Sequence, residues 1–204
     1  MRPAGLPPGS PRPLPRKRAT ARSTPPPGRA AALCRRLPDL LGVAGPIAVI
    51  TAYAVAGART PGYDLVTQSL SQLSRLGAQE RPLAVAGLLA TGGSLIAACP
   101  AVARRARPAL VGAGLASLGA AAFPLDGTRA AFRVHAVWVV AGYVALGLAP
   151  LLHQRRPSSW AVTAVAGLAL PLTLLPPASG AAQRVGLATL LAWVAGTCAL
   201  RLRG

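Results

Sequence analysis

Residues 61–82 carry the sequence PGYDLVTQSLSQLSRLGAQERP, the one long polar passage within an otherwise apolar run from Leu40 to Leu200. The passage lies between two hydrophobic segments, residues 40–57 and 83–102, that are long enough to cross a membrane. It therefore belongs to a link at a membrane face.

The passage also contains helix signals. Pro61 and Gly62 are typical of a turn, and Asp64 stands where an N-cap side chain would accept a free backbone N–H. From Leu65 onward apolar residues recur at near-helical spacing, and Gly77 can take the left-handed conformation that ends a helix. We expect an amphipathic helix of about three turns, too short to span, on the membrane surface or over the mouth of a bundle.

The composition is that of a membrane protein. Of 204 residues, 52% are hydrophobic and only 13% charged, whereas soluble domains carry about 25% charged residues. A net charge of +18 would ordinarily suggest nucleic-acid binding. Here the basic residues occupy an N-terminal arm and short links, with no aromatic residues between them for stacking, so we expect no nucleic acid as a partner.

Hydrophobic segments of near-spanning length follow one another along the chain. A span needs roughly 17–25 residues, and the third and sixth segments are short of that. The Pro- and Arg-rich arm, residues 1–37, holds too few large apolar groups to fold. The sequence predicts an all-α polytopic integral membrane bundle with a disordered basic arm and one membrane domain, residues 38–204. The predicted spans are residues 40–57, 83–102, 109–123, 134–152, 160–176 and 185–200.

The distribution of arginine predicts the orientation of the chain. With the arm inside, sixteen of the 22 basic residues lie on the cytoplasmic side, which favours two cytoplasmic termini. Of the basic residues only Lys17 is not arginine, a bias typical of a GC-rich bacterial genome. We therefore expect a multi-pass protein of the bacterial plasma membrane, with the bilayer as its partner and an arm that contacts anionic lipid headgroups.

Polar residues gather on the predicted outer side. Asp126 and Arg129 lie in the link FPLDGTRAAFRVH, and His135 begins the fourth span, where an ionisable group has to face inward or sit at the interface. Gln183 and Arg184 precede the last span. Four interpretations of Asp126 and His135 stay open: a metal site, an acid/base pair, a proton relay, or a structural hydrogen bond. One Asp and one His are too few ligands for zinc unless Asp64 or Glu80 joins them, and no metal is predicted.

The three cysteines give no sign of a metal or a disulfide framework. Cys34, Cys99 and Cys198 are far apart, and two of them lie in predicted spans. An odd count without paired spacing argues against both kinds of site. No cofactor is indicated.

These motifs together resemble a known family. PGYD before a Ser- and Leu-rich stretch, FPLD with a His nine residues after the Asp, and Gln-Arg before a last span with Trp193 are similar to the bacterial six-span membrane family called domain of unknown function 998. The resemblance implies a six-helix membrane protein and no established activity. The outer polar positions that it matches are Tyr63, Asp64, Ser71, Asp126, His135 and Arg184.

The leading hypothesis is an outward-facing polar pocket that binds a small or lipid-like ligand. Arg184 would pair with an anionic headgroup, and Asp126 would hold His135 in one tautomer. A second hypothesis is an intramembrane hydrolase that uses Ser71 as nucleophile, or water activated by a metal held by Asp64, Asp126 and His135. No HExxH or GxSxG motif supports it. A transporter and an assembly partner are the remaining alternatives.

Overall fold

The computed structural model describes residues 29–173 and 179–204, with side chains from residue 33 onward. Within these residues the chain forms six α-helices and no strand, which confirms the all-α prediction. The helices are α1 (Arg29–Arg59), α2 (Arg81–Ala97), α3 (Arg107–Ala122), α4 (Arg129–His153), α5 (Pro157–Leu172) and α6 (Ser179–Arg203). Short 3₁₀ helices cover Leu70–Ser74, Cys99–Ala101 and Arg104–Ala106.

Each predicted span corresponds to one helix. By length and composition α1, α4 and α6 can cross a membrane, and α2 and α5 are apolar but shorter. The helices begin earlier than predicted: α1 starts at Arg29, so residues 29–37 of the predicted arm are helical. Residues 1–28 of the arm and residues 174–176 of the fifth predicted span lie outside the described residues.

The helices form a closed ring. Each packs against its neighbours in the chain, and α1 packs against α6 to complete the circuit. The central cavity is walled by residues of α1, α2, α3, α4 and α6, while α5 packs against α4 and α6 and contributes no wall residue. Because neighbouring helices run in opposite directions, the links fall at two ends of the bundle. The end that holds residues 60–80 and 123–128 is called the outer end below.

Large apolar side chains point away from the ring. Val137, Val140, Val144 and Leu148 of α4 are between 44 and 66% exposed and recur every three or four residues, which places them on one helix face. Much of the core instead consists of alanine. Large residues outside and small residues between helices are typical of a bundle that packs in lipid.

The outer segment, residues 61–82, is not the continuous amphipathic helix that we expected. Asp64 does cap a turn, since its Oδ1 accepts the Val66 N–H at 2.7 Å, but this turn does not continue. Between this turn and the start of α2 at Arg81, only Leu70–Ser74 is helical, as a 3₁₀ helix that buries Leu70 and Leu73. Gly77 has a φ of +82°, the left-handed conformation that was predicted for it.

The opposite end is held together by a buried acid that the sequence analysis did not single out. Asp39 of α1 is 6% exposed, and its Oδ1 lies 3.4 Å from Arg201 Nε of α6. Arg201 also donates to the Pro100 carbonyl at 2.8 Å. The contact with Asp39 is an ion pair rather than a hydrogen bond. It joins the first and last helices of the ring where the bundle closes.

Candidate functional site

His135 is the centre of a short polar chain at the outer end of the cavity. Its Nε2 lies 3.0 Å from Ser71 Oγ, and its Nδ1 lies 2.9 Å from the Phe123 carbonyl oxygen. The imidazole is only 4% exposed. Residues 64 positions apart in sequence thus meet inside the bundle.

The hydrogen bonds of His135 define its neutral tautomer. A carbonyl oxygen can only accept, so Nδ1 carries the proton that is donated to Phe123. Nε2 is then the free lone pair, and the Ser71 hydroxyl donates to it. A serine O–H held against an unprotonated imidazole nitrogen is the arrangement by which a general base activates a nucleophile.

The outer end of α4 is positioned by Asp126. Asp126 Oδ1 accepts from the Thr128 N–H at 2.8 Å and from the Thr128 hydroxyl at 2.7 Å. Thr128 in turn is the N-cap of α4 and accepts from the Ala131 N–H at 3.1 Å. His135 follows two turns later on the face toward the cavity. Asp126 thus sets the start of the helix that carries His135 but makes no hydrogen bond to the His135 imidazole.

Asp64 and Asp126 are exposed parts of turns. The Thr128 hydroxyl, followed by its backbone N–H, lowers the pKa of Asp126 below its usual value. The backbone N–H of Val66, followed by the Thr67 side chain, does the same for Asp64. The expectation that Asp126 fixes the His135 tautomer is wrong, because the Phe123 carbonyl occupies that place.

Arg184 ties the outer segment to α6. Its guanidinium donates to the carbonyls of Leu65 and Gln68 and, at 2.6 Å, to the Tyr63 hydroxyl. It also lies 5.5 Å from the centre of the Tyr63 ring. Burial raises the pKa of Tyr63 above its usual value, although the neighbouring Arg184 charge lowers it. Tyr63 and Arg184 form a pair separate from Ser71 and His135.

Gln183 links the Tyr63–Arg184 pair to the Ser71–His135 pair, because it precedes Arg184 in the chain and its side chain binds the residue before Ser71. Its Oε1 accepts from the Leu70 N–H at 2.7 Å, next to Ser71, and its own carbonyl accepts from the Tyr143 hydroxyl at 2.8 Å. Gln183 is 8% exposed and lines the cavity. It therefore fixes the start of the 3₁₀ helix over the cavity mouth.

The cavity is narrow and mostly apolar. Its volume is about 90 Å³. Thr91 and Ser117 also line it, but their hydroxyls donate to the carbonyls of Gly87 and Leu88 in α2. Beside the Tyr53 hydroxyl and the Trp138 indole, further polar groups of the wall come from Ser71, His135 and Gln183.

A larger pocket of about 620 Å³ adjoins the cavity. It lies between α1 and α6, and Tyr63 and Arg184 form part of its polar rim. The two spaces share a wall made of Val49, Tyr53, Leu70 and Leu187. These four side chains border both the pocket that Arg184 lines and the cavity that His135 lines.

Comparison with known proteins places the chain in a family. The family described as "Protein of unknown function (DUF998)" matches residues 43–200, more than half of the chain. This chain belongs to the DUF998 family. Neither the curated proteins nor the solved structures contain a match.

The DUF998 match covers all six outer polar positions and the whole cavity wall. It leaves out Asp39 and Arg201, which lie just beyond its two ends. Of the six positions, the DUF998 fold brings Ser71 to His135 and Tyr63 to Arg184, and it leaves Asp64 and Asp126 in exposed turns. Across the described part of this DUF998 chain, no three His, Cys, Asp or Glu side chains gather as metal ligands.

Sequence reasoning missed two contributors to the DUF998 site. The Phe123 carbonyl is a backbone group, so the residue type does not predict its role, although the sequence FPLD indicates that a helix ends at that residue. Tyr143 lies in the middle of an apolar helix, where a hydroxyl needs a partner. An isolated tyrosine in a predicted span was the signal that could have found it.

Proposed function

We propose that this DUF998 protein is a multi-pass protein of the bacterial plasma membrane whose central cavity binds a small, lipid-like amphiphile. The single observation that carries the proposal is the distribution of polarity in the cavity. Its wall is mostly apolar, and at the outer end Ser71 and His135 supply hydrogen-bonding groups. An amphiphile would place its apolar chain among Leu95, Ala113 and Leu146 and its polar end at Ser71.

The pocket between α1 and α6 is the proposed route to the cavity. Lipid can approach this face from the side, and the shared wall of Val49, Tyr53, Leu70 and Leu187 would have to rearrange to admit a chain. Arg184 lies at the polar rim of the route. A guanidinium in this place favours ligands with an anionic headgroup, because it can add a charge-assisted hydrogen bond.

A cavity-filling variant tests the proposal. Val139 of α4 lines the cavity, while its neighbour Val140 is 44% exposed on the outer face. Val139→Phe should fill the cavity, and Val140→Phe adds the same ring on the lipid side. Each protein is purified in detergent, incubated with a lipid extract of the expression host, and measured by native mass spectrometry.

We expect a lipid adduct on the wild type and on Val140→Phe that is reduced at least about tenfold on Val139→Phe, corresponding to about 1.4 kcal/mol of binding free energy. An adduct of equal occupancy on all three proteins would mean that the lipid binds outside the cavity. A bare mass for the wild type at every lipid concentration would overturn the proposal.

A further inference from the structure

The arrangement of Ser71 and His135 goes beyond what ligand binding needs. A binding site requires a donor or an acceptor, whereas here a hydroxyl is hydrogen-bonded to the free nitrogen of an oriented imidazole. Both groups line the cavity in which the ligand is proposed to bind. We propose that Ser71 and His135 are catalytic residues that cleave a carboxylic ester of a lipid-like amphiphile, an inference that rests on the ligand-binding cavity proposed above.

The end of α3 takes the place that a carboxylate fills in serine hydrolases with a third catalytic residue. Phe123 is the C-cap of α3, so its carbonyl belongs to the set left without partners at a helix C-terminus. The partial negative charge at that end stabilises a cation, which is the imidazolium that forms when His135 takes a proton. The carbonyl therefore orients the base and supports its charged form.

The reaction proceeds in two steps. Ser71 Oγ attacks the ester carbonyl carbon while His135 Nε2 takes the hydroxyl proton. The carbon–oxygen bond to the alcohol then breaks, the alcohol leaves with the proton from Nε2, and an acyl group remains on Ser71. In the second step His135 removes a proton from water, the resulting hydroxide attacks the acyl carbon, and the carboxylic acid leaves as Ser71 recovers its proton.

The surroundings fit an ester better than an amide. An alcohol is a better leaving group than an amine, so an ester needs less assistance from a Ser–His pair whose imidazole is oriented by a carbonyl and not by a carboxylate. Gln183 supplies a hydrogen-bond donor near Ser71. Its Oε1 accepts from the Leu70 N–H, and within the described residues its Nε2 has no partner. The second step needs water. Gln72, the residue after Ser71, is exposed, so water can reach the segment that carries Ser71.

Covalent labelling tests the inference directly. The purified full-length protein is incubated with an alkyl fluorophosphonate, which reacts with activated serine hydroxyls, and the labelled residue is located by peptide mass spectrometry. We expect labelling of Ser71 in the wild type and in the control Ser69→Ala, and none in Ser71→Ala. His135→Gln retains an amide that can bond to Phe123, and we expect it to slow labelling about 100-fold or more.

Hydrolysis is followed in parallel with 4-methylumbelliferyl esters of butanoic and octanoic acid. Release of the fluorescent alcohol should depend on Ser71 and on His135, and Val139→Phe should reduce it for the longer ester more than for the shorter one. Circular dichroism confirms that each variant is folded. If His135→Gln fails to fold, Ser71→Ala, which removes a single oxygen atom, still decides the outcome.

The two proposals fail separately. A folded wild-type protein that binds lipid but leaves Ser71 unlabelled and both esters intact would overturn the catalytic inference and keep the binding site. Labelling and hydrolysis that persist in Ser71→Ala would also overturn it. A labelled Ser71 in a protein that binds no lipid would instead contradict the cavity as a lipid site and leave a hydrolase for short esters.

Discussion

A buried imidazole in an apolar bundle is costly unless both ring nitrogens have partners, and His135 has both. One partner is a side chain from the segment between α1 and α2, and the other is the backbone at the end of α3. The residue therefore joins three parts of the outer end. Its contribution to stability can be separated from any chemistry that it performs.

Replacement of His135 by alanine should destabilise the protein by about 2–4 kcal/mol, because it leaves a gap and removes the partners of Ser71 and Phe123. His153→Ala is the matched control. His153 is half-buried at the opposite end and accepts one hydrogen bond, from the Ala103 N–H at 2.9 Å. We expect about 1 kcal/mol there. Unfolding in detergent measures both, and equal losses would show that His135 is no more than an ordinary packed residue.

Arg184→Lys should loosen the outer segment although it preserves the charge. A lysine ammonium cannot reach two carbonyls and the Tyr63 hydroxyl in the planar geometry of a guanidinium. We expect hydrogen exchange of the amides of residues 65–69 to increase, in line with a loss of about 1–3 kcal/mol. Arg129→Lys, an exposed change at the start of α4, is the control. Unchanged exchange in Arg184→Lys would contradict the anchoring role.

Whether the sequence predicts the hydrogen-bond partner of a residue depends on whether that partner is close in the chain or lies on another element. His135 was singled out because an ionisable group at the start of a span has to face protein or water, and Ser71 because it matches the resemblance to the DUF998 family. The hydrogen bond between them was not predicted, since only the fold brings together residues on separate elements. Asp126 was assigned to the wrong partner because its own loop offers the nearer Thr128 donors, and local bonds of this kind compete well.

At the scale of elements, the outer segment shows why a helical pattern can fail. Its carbonyls are taken by tertiary donors: Val66 accepts from the Ala181 N–H at 2.9 Å, and Thr67 accepts from the Ser179 hydroxyl at 2.7 Å. Ser179 and Ala181 belong to the first turn of α6, where N–H groups lack helical partners. Bonds to α6 thus replace the bonds of a continuous helix. The six apolar segments were predictable because hydrophobic runs of this length have few other uses.

The crossing of α2 and α3 depends on small residues. A Cβ built on Gly92 would lie 2.7 Å from Leu118 and 2.9 Å from the Gly114 carbonyl, whereas one on Gly93 meets nothing within 4 Å. Gly92→Ala should therefore force the helices apart and cost about 1–3 kcal/mol. Gly93→Ala should be neutral or stabilising by up to about 1 kcal/mol, because alanine favours helix. Thermal unfolding of both variants decides, and equal effects would contradict the close crossing.

At the scale of the whole molecule, the ring has two chemically different ends. The outer end holds Ser71, His135 and the Tyr63–Arg184 pair, and the opposite end holds the Asp39–Arg201 ion pair. The exposed Arg104, Arg105, Arg155 and Arg156 also lie at the opposite end. An asymmetric distribution of arginine is the signal by which membrane proteins orient. This distribution supports the predicted orientation, in which the opposite end faces the cytoplasm.

Cysteine accessibility tests this orientation. We expect a membrane-impermeant maleimide to label Gln72→Cys in intact spheroplasts, because Gln72 is exposed at the outer end. Arg155→Cys, exposed at the opposite end, should react only after the membrane is opened, and so should the native Cys34. Peptide mass spectrometry distinguishes the three thiols. Labelling of Arg155→Cys but not Gln72→Cys in intact spheroplasts would invert the topology, and Ser71 with its neighbours would then meet cytoplasmic rather than external ligands.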